Sequence, residues 1–119
     1  MDDSGPLVFD GHNDVLSKLF GAGGMAQVGT FLTGREGAID LPKARAGGFG
    51  GGFFAVYVAS PIDRAFKMSE MDKPSYDLPL PEPVDWEDAL PVAVAQVAIL
   101  LELERRGALT VCRSVADIR

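Results

Sequence analysis

The most informative stretch of the chain reads Leu7-Val8-Phe9-Asp10-Gly11-His12-Asn13-Asp14. A short apolar run that a glycine interrupts is typical of a buried strand followed by a break in the backbone. Side chains two apart in an extended backbone point to the same face, so His12 and Asp14 should project together from the C-terminal end of this strand. An imidazole and a carboxylate that meet there can hold a divalent metal ion such as zinc.

The same pair also fits a purely structural role. His12 could cap a turn, and Asp14, or Asn13 beside it, could cap the helix that follows, which is the commoner situation for an isolated His-x-Asp. His12 is the only histidine in the chain, whereas a zinc site takes three or four protein ligands. If the pair binds metal, the other ligands are expected outside these 119 residues.

Composition places the chain among globular proteins of one domain. The 119 residues are 47% hydrophobic, with 11 basic and 17 acidic side chains and a net charge of −6. The acidic excess argues against a nucleic-acid partner, and no apolar run is long enough for a membrane span. The N-terminus lacks the basic and apolar regions of a signal peptide, and the lone Cys112 can form no internal disulfide. Both features fit a reduced, cytoplasmic setting.

The first half of the chain is predicted to alternate between strand and helix. After the first strand, apolar residues at helical spacing predict a helix from about Val15, which glycines end. Residues 25–38 show no period and should form a loop. A short helix should follow, with Asp40 as its N-cap and Gly47 or Gly48 at its end.

The second half is predicted to add a strand, a long loop, a helix and a third strand. Residues 53–59 are a continuous run of strand formers, which indicates cover on both faces. Residues 60–88 are irregular and should form a long surface loop, with an interdomain linker as the alternative. A helix capped by Asp88 should span residues 89–106 and be heavily buried, and residues 108–112 should form the third strand.

Glycine fills five of the six positions over residues 47–52. A nucleotide-binding glycine loop follows a strand and opens a helix, whereas these glycines follow a helix and open a strand. The run therefore predicts a tight helix-to-strand turn at which backbones approach closely.

Strand and helix alternate as in a parallel sheet, and three ordered blocks closely resemble the renal (membrane) dipeptidase family. The blocks are Phe9-Asp10-Gly11-His12-Asn13-Asp14, Ile39-Asp40-Leu41-Pro42-Lys43-Ala44-Arg45-Ala46-Gly47-Gly48 and Gly51-Gly52-Phe53-Phe54-Ala55-Val56-Tyr57-Val58. The resemblance covers nearly the whole chain. It implies an α/β fold that is the N-terminal part, about three β/α units, of a (β/α)₈ TIM-type barrel of the amidohydrolase kind. Residues 1–119 would then be one portion of a single barrel domain.

The resemblance further implies zinc-dependent hydrolysis of dipeptides. His12 and Asp14 would be ligands of one ion in a two-zinc site, and a bridging glutamate and further histidines would come from later strands. The two ions would share a hydroxide that attacks the peptide carbonyl, because zinc lowers the pKa of bound water to about 7. The rest of the barrel would lie in the same chain or in a second one.

The missing ligands support a second hypothesis of a different class. A complete barrel needs roughly 250 residues, so these 119 residues could be a non-catalytic truncated homologue. They could also be one chain of a split barrel that acts as a structural or interaction module. In each case open strand edges and apolar faces should make the chain associate with itself or with the rest of the barrel.

Overall fold

The computed structural model describes residues 5–60 and 68–118. Two strands, β1 (Val8–Asn13) and β2 (Phe49–Phe54), form a small sheet. Three helices lie between them, α1 (Val15–Gly21), α2 (Val28–Thr33) and α3 (Leu41–Ala46), and the long α4 (Trp86–Arg105) follows. Short 3-10 turns span Gly24–Gln27, Met68–Glu70 and Val115–Ile118.

The sheet is parallel, and helices make the connection between its two strands. Its register pairs Val8 with Phe49 at one end and Asn13 with Phe54 at the other. Parallel strands need a crossover of this kind, so the α/β class that the alternating pattern predicts is confirmed.

β2 begins and ends earlier than the strand predicted over residues 53–59. It starts within the glycine run, where a Cβ on Gly52 would lie only 3.0 Å from the Cβ of Asp10 on β1. The predicted tight turn lies at Gly47 and Gly48, the latter with a φ of +68°, and the close approach of two backbones continues within the strand. Past the end of β2, the amide of Gln96 on α4 donates to the carbonyl of Tyr57 at 2.6 Å and accepts from its N–H at 3.0 Å.

The hydrophobic core lies between the helices and one face of the sheet. Its buried side chains come from α1, α2 and α4, with Phe54 at the edge: Val15, Leu16, Leu19, Val28, Phe31, Ile99 and Leu103. Phe9 and Phe53 belong to the other face, where their rings meet edge to face at 5.3 Å and are 57% and 66% exposed. We predicted that both faces of this strand are covered by other elements. Within the described residues that prediction is wrong, because the face that carries Phe53 is open.

Residues 25–38, predicted to form a loop, contain a 3-10 turn and the six-residue helix α2. Within the described residues no side chain caps α2, and Gly34, which follows its last residue, has a φ of +123°. Val28 and Phe31 lie about one turn apart and are both buried in the core. Packing rather than capping therefore stabilises this helix. Because its cause is a distant contact, no local pattern in the sequence predicts it.

α4 begins at Trp86, three residues before the predicted start, with Asp85 instead of Asp88 at its N-cap. Pro91 therefore lies inside the helix. Because Pro91 has no N–H, the carbonyl four residues before it lacks its helical donor. This carbonyl lies in the exposed first turn, so it can bond to water instead. The expected heavy burial is also wrong, since the buried residues of α4 are Gln96, Ile99 and Leu103.

Residues 108–112, predicted as a third strand, form no strand within residues 68–118. The N–H of Val111 donates instead to the carboxylate of Glu104 on α4 at 2.8 Å, and Arg113 binds the same carboxylate. A strand needs the backbone of a neighbouring strand, and this segment bonds to a helix side chain in its place.

The loop predicted over residues 60–88 is described only in part, because residues 61–67 lie outside the described residues. Apart from one 3-10 turn, its described residues before Trp86 form no helix or strand. Its role as a surface loop and the domain limits 1–119 stay predictions. No helix among the described residues has the length and apolar character needed to cross a membrane.

Candidate metal centre

The C-terminal end of β1 brings His12 and Asp14 together, as the alternation of side chains along a strand predicts. Nε2 of His12 and Oδ1 of Asp14 lie 3.3 Å apart. The two side chains are 67% and 48% exposed. The imidazole and the carboxylate are therefore both accessible to a metal ion from solvent.

Neither side chain fills the structural role that the sequence left open. Asp14 stands at the N-cap of α1 without a side-chain capping bond, and the N–H of Val15 donates instead to Oδ1 of Asn13 at 3.3 Å. Within the described residues, the ring of His12 bonds to Asp14 and not to the backbone of a turn. Both side chains are therefore free to bind a ligand, and their assignment to a metal stays a prediction.

The geometry of the pair fits a zinc ion. Nitrogen and oxygen ligands lie about 2.0–2.2 Å from zinc in a tetrahedron, which places two of them roughly 3.3 Å apart. The distance between Nε2 of His12 and Oδ1 of Asp14 is 3.3 Å. Within residues 5–60 and 68–118, no group of three or more His, Cys, Asp or Glu side chains could hold an ion. A metal ion bound by this pair would therefore need further ligands from outside the described residues.

Asn13 lies between the two residues in the chain and anchors the backbone that carries them. The sequence predicts it only as an alternative cap of the helix that follows. Its side chain is buried, with the whole residue 5% exposed. The amide nitrogen donates to Oδ2 of Asp10 at 3.0 Å and to the carbonyl of Phe53 on β2 at 3.3 Å. With the bond from Val15, one side chain joins both strands to α1.

A partly open cavity of about 230 Å³ adjoins the pair. Its walls come from the end of β1, from α1 and from the loop that precedes α3, residues 35–39. Lys18 and Arg35 contribute positive charge to these walls, and Asp14 and Glu36 contribute negative charge. The candidate metal ligands thus lie at the edge of a small cavity whose walls carry charges of both signs.

Asp40 and Lys43 hold the loop that lines this cavity. Asp40, confirmed as the N-cap of α3, is buried and accepts from the N–H groups of Lys43 and Arg35 at 2.8 and 3.0 Å. The Lys43 ammonium donates to Asp40 at 2.8 Å and to the carbonyls of Arg35 and Gly37. The Lys43 side chain, followed by the two N–H groups, lowers the pKa of Asp40 from 3.8 to about 2.

Two solved structures resemble the chain over 95% of its length. The metallo peptidase from Rhodobacter sphaeroides, liganded with a phosphinate mimic of the dipeptide L-Ala-D-Ala, is 45% identical with a TM-score of 0.82. The dipeptidase AC, a metallo peptidase of family M19, is 44% identical with a TM-score of 0.78. No family model and no curated protein matches the chain.

Over 95% of its length the chain is similar to metallo dipeptidases, one of them of family M19. It spans about a third of the length of these relatives, 33% of one and 32% of the other. The dipeptidase resemblance is therefore confirmed, and the coverage is consistent with the predicted N-terminal portion. The hydrolase class of the family agrees with the prediction as well.

The bonds that Arg35 and Lys43 donate to Asp40, here called the Asp40 clamp, make the stability of the chain sensitive to acid. Because the folded pKa of Asp40 lies below its ordinary value, its ionised form stabilises the fold above pH 3.8. This stabilisation is lost as the pH falls toward about 2, since the unfolded chain takes up the proton first. Asp40→Asn should lower stability at neutral pH and flatten its decline over this range, as measured by denaturant unfolding at stepped pH.

Asp85→Asn is the matched control, because Asp85 is also an aspartate at a helix N-cap but makes no side-chain capping bond. It should keep the acid profile of the unmodified chain. An Asp40→Asn chain whose stability still falls as steeply between pH 3.8 and 2 would show that the clamp does not cause the decline.

Proposed function

We propose that this chain supplies His12 and Asp14 as metal ligands to a zinc-dependent dipeptidase. The observation that carries the proposal is their convergence at 3.3 Å at the end of a parallel strand, with neither side chain used for capping. The family supports it, since M19 relatives are metallo dipeptidases. One relative binds a mimic of L-Ala-D-Ala, which supports a dipeptide as the substrate.

The proposed setting of the site is a (β/α)₈ barrel, of which β1 and β2 would be two neighbouring strands. Barrels of this kind place their active sites at the C-terminal ends of the strands, and His12 and Asp14 lie at that end of β1. The remaining ligands would come from the rest of the barrel, in the same or a second chain. The two-ion count and the choice of zinc are part of the proposal.

His12 and Asp14 would hold the ion, and the cavity beside them would bind the substrate. Bound zinc supplies a Lewis acid for the peptide carbonyl and activates water for attack. His12 would bind it through unprotonated Nε2, and Asp14 through its ionised carboxylate. Lys18 and Arg35 line the same cavity and would attract the carboxylate that every dipeptide carries.

A second candidate function is that of a non-catalytic module. The incomplete ligand set within the described residues favours it, together with the open apolar face around Phe9 and Phe53. In this case the chain would bind another part of a barrel without hydrolysing a substrate.

Complementation tests the proposal. The 119-residue chain is co-expressed with the part of the Rhodobacter sphaeroides peptidase outside its match, about two-thirds of that protein. We call this pair of chains the completed barrel. The completed barrel should bind zinc and hydrolyse L-Ala-D-Ala, whereas each chain alone should do neither to a comparable extent.

The outcomes separate the two candidate functions. A completed barrel that forms but neither retains zinc nor hydrolyses the dipeptide supports the non-catalytic module and contradicts the enzyme. Stoichiometric zinc with turnover by the 119-residue chain alone would contradict the incomplete site.

A further inference from the structure

We infer that Asn13 is a positioning residue for the metal site, which fixes the backbone on which His12 and Asp14 stand. The inference rests on the proposed function and assigns a role to a side chain that would not touch the ion. Asn13 lies between the two candidate ligands in the chain, with its side chain buried while theirs are exposed.

The Asn13 side chain immobilises three elements at one point. Its amide nitrogen donates to Asp10 on β1 and to the carbonyl of Phe53 on β2, and its oxygen accepts from Val15 at the start of α1. An amide is the neutral side chain that supplies both donors and an acceptor here. Alanine, or a second carboxylate beside Asp10, would leave some of these partners unpaired.

The backbone on both sides of Asn13 is fixed as well. The carbonyl of Asn13 accepts from the N–H of Ala55 at 3.0 Å, and the carbonyl of Asp14 accepts from the N–H of Lys18 at 3.0 Å. Asp10 also accepts from the N–H of His12 at 3.4 Å. His12 and Asp14 are therefore left with freedom mainly in their own side-chain torsions.

Fixed ligand backbones matter because a metal site loses affinity when its ligands must be ordered on binding. Partners that orient ligands from the outer shell typically contribute a factor of about 10–100 in metal affinity. We expect Asn13 to act in this way through the backbone, since its side-chain amide already bonds to Asp10, Phe53 and Val15.

The test uses three variants of the chain in the completed barrel. Asn13→Asp keeps the size and the acceptor for Val15 but loses both donated bonds, and Asn13→Ala loses all three. Gln96→Ala is the matched control, because Gln96 is another buried amide that bonds a backbone, at Tyr57, and it does not line the cavity.

Labelling histidine with ¹⁵N in this chain alone restricts the ring signals to Nδ1 and Nε2 of one residue, since His12 is its only histidine. Titration with zinc should shift the Nε2 signal, and the affinity should fall about 10–100-fold in both Asn13 variants. The control should bind zinc like the unmodified chain even if its melting temperature falls. Asn13 variants that bind zinc with unchanged affinity would overturn the inference, as would an equal loss in Gln96→Ala.

A zinc-free measurement keeps the inference separate from the proposed function. Contacts between the His12 ring and the Asp14 side chain, measured by NMR without metal, should weaken in the Asn13 variants and persist in Gln96→Ala. If the unmodified barrel shows no zinc-dependent shift, the proposed function is wrong, and these contacts still decide whether Asn13 positions the pair. If no completed barrel forms, the same contacts measured by solid-state NMR on the self-associated 119-residue chain decide the point, and contacts that persist in the Asn13 variants contradict the inference.

Discussion

His12→Ala should abolish zinc retention by the completed barrel and leave its melting temperature almost unchanged. The ring of His12 is 67% exposed and contacts Asp14 rather than the core, so its removal creates no cavity. Its ring is the only imidazole that the chain can offer to a metal ion. Loss of a direct ligand should weaken zinc binding by more than the roughly 100-fold that outer-shell partners contribute, and dipeptide hydrolysis should fall with it.

Two companion variants make this result specific. His12→Cys replaces one zinc ligand by another and should recover part of the zinc content that His12→Ala loses. Lys18→Ala removes a charge from the same cavity wall and should keep the zinc content. Full zinc occupancy in His12→Ala, with a lowered melting temperature, would mean that His12 has a structural role.

Alone, the 119-residue chain should self-associate at micromolar concentration. One face of α4 is apolar yet exposed, at Leu90, Val94, Val97 and Leu101, and the sheet face around Phe9 and Phe53 is open. Exposed patches of this kind promote association unless a neighbour covers them. We expect the rest of the barrel to cover both, so co-expression should replace the self-associated species by a one-to-one complex.

Sedimentation velocity distinguishes these states. A chain that carries Val94→Lys and Leu101→Lys should self-associate less. It should also bind the rest of the barrel more weakly, because self-association and barrel binding would use the same face of α4. Glu87→Lys, an exposed change in the first turn of α4, is the control for added charge. A monomeric 119-residue chain with a sharp cooperative melt would contradict the expectation.

Features with local causes could be predicted from the sequence. Asp40 caps α3 through the N–H of Lys43, as an aspartate three residues before that amide should. Gly107 follows the end of α4 with a φ of +74°, a conformation that glycine adopts readily. The convergence of His12 and Asp14 follows from the period of two along a strand.

Features that depend on distant contacts could not be predicted. α2 has no side-chain cap and is stabilised by burial. The start of α4 at Trp86 places Pro91 within a helix whose exposed first turn tolerates it. The segment predicted as a third strand bonds to Glu104, because no neighbouring strand pairs with it in the described residues. The role of Asn13 likewise depends on Phe53, which is far away in the sequence.

Anomalous diffraction at the zinc absorption edge, from crystals of the completed barrel, tests most directly whether His12 and Asp14 bind zinc. We expect an anomalous peak about 2.0–2.2 Å from both Nε2 of His12 and the carboxylate of Asp14. Zinc peaks at other residues, with none within bonding distance of this pair, would contradict this expectation.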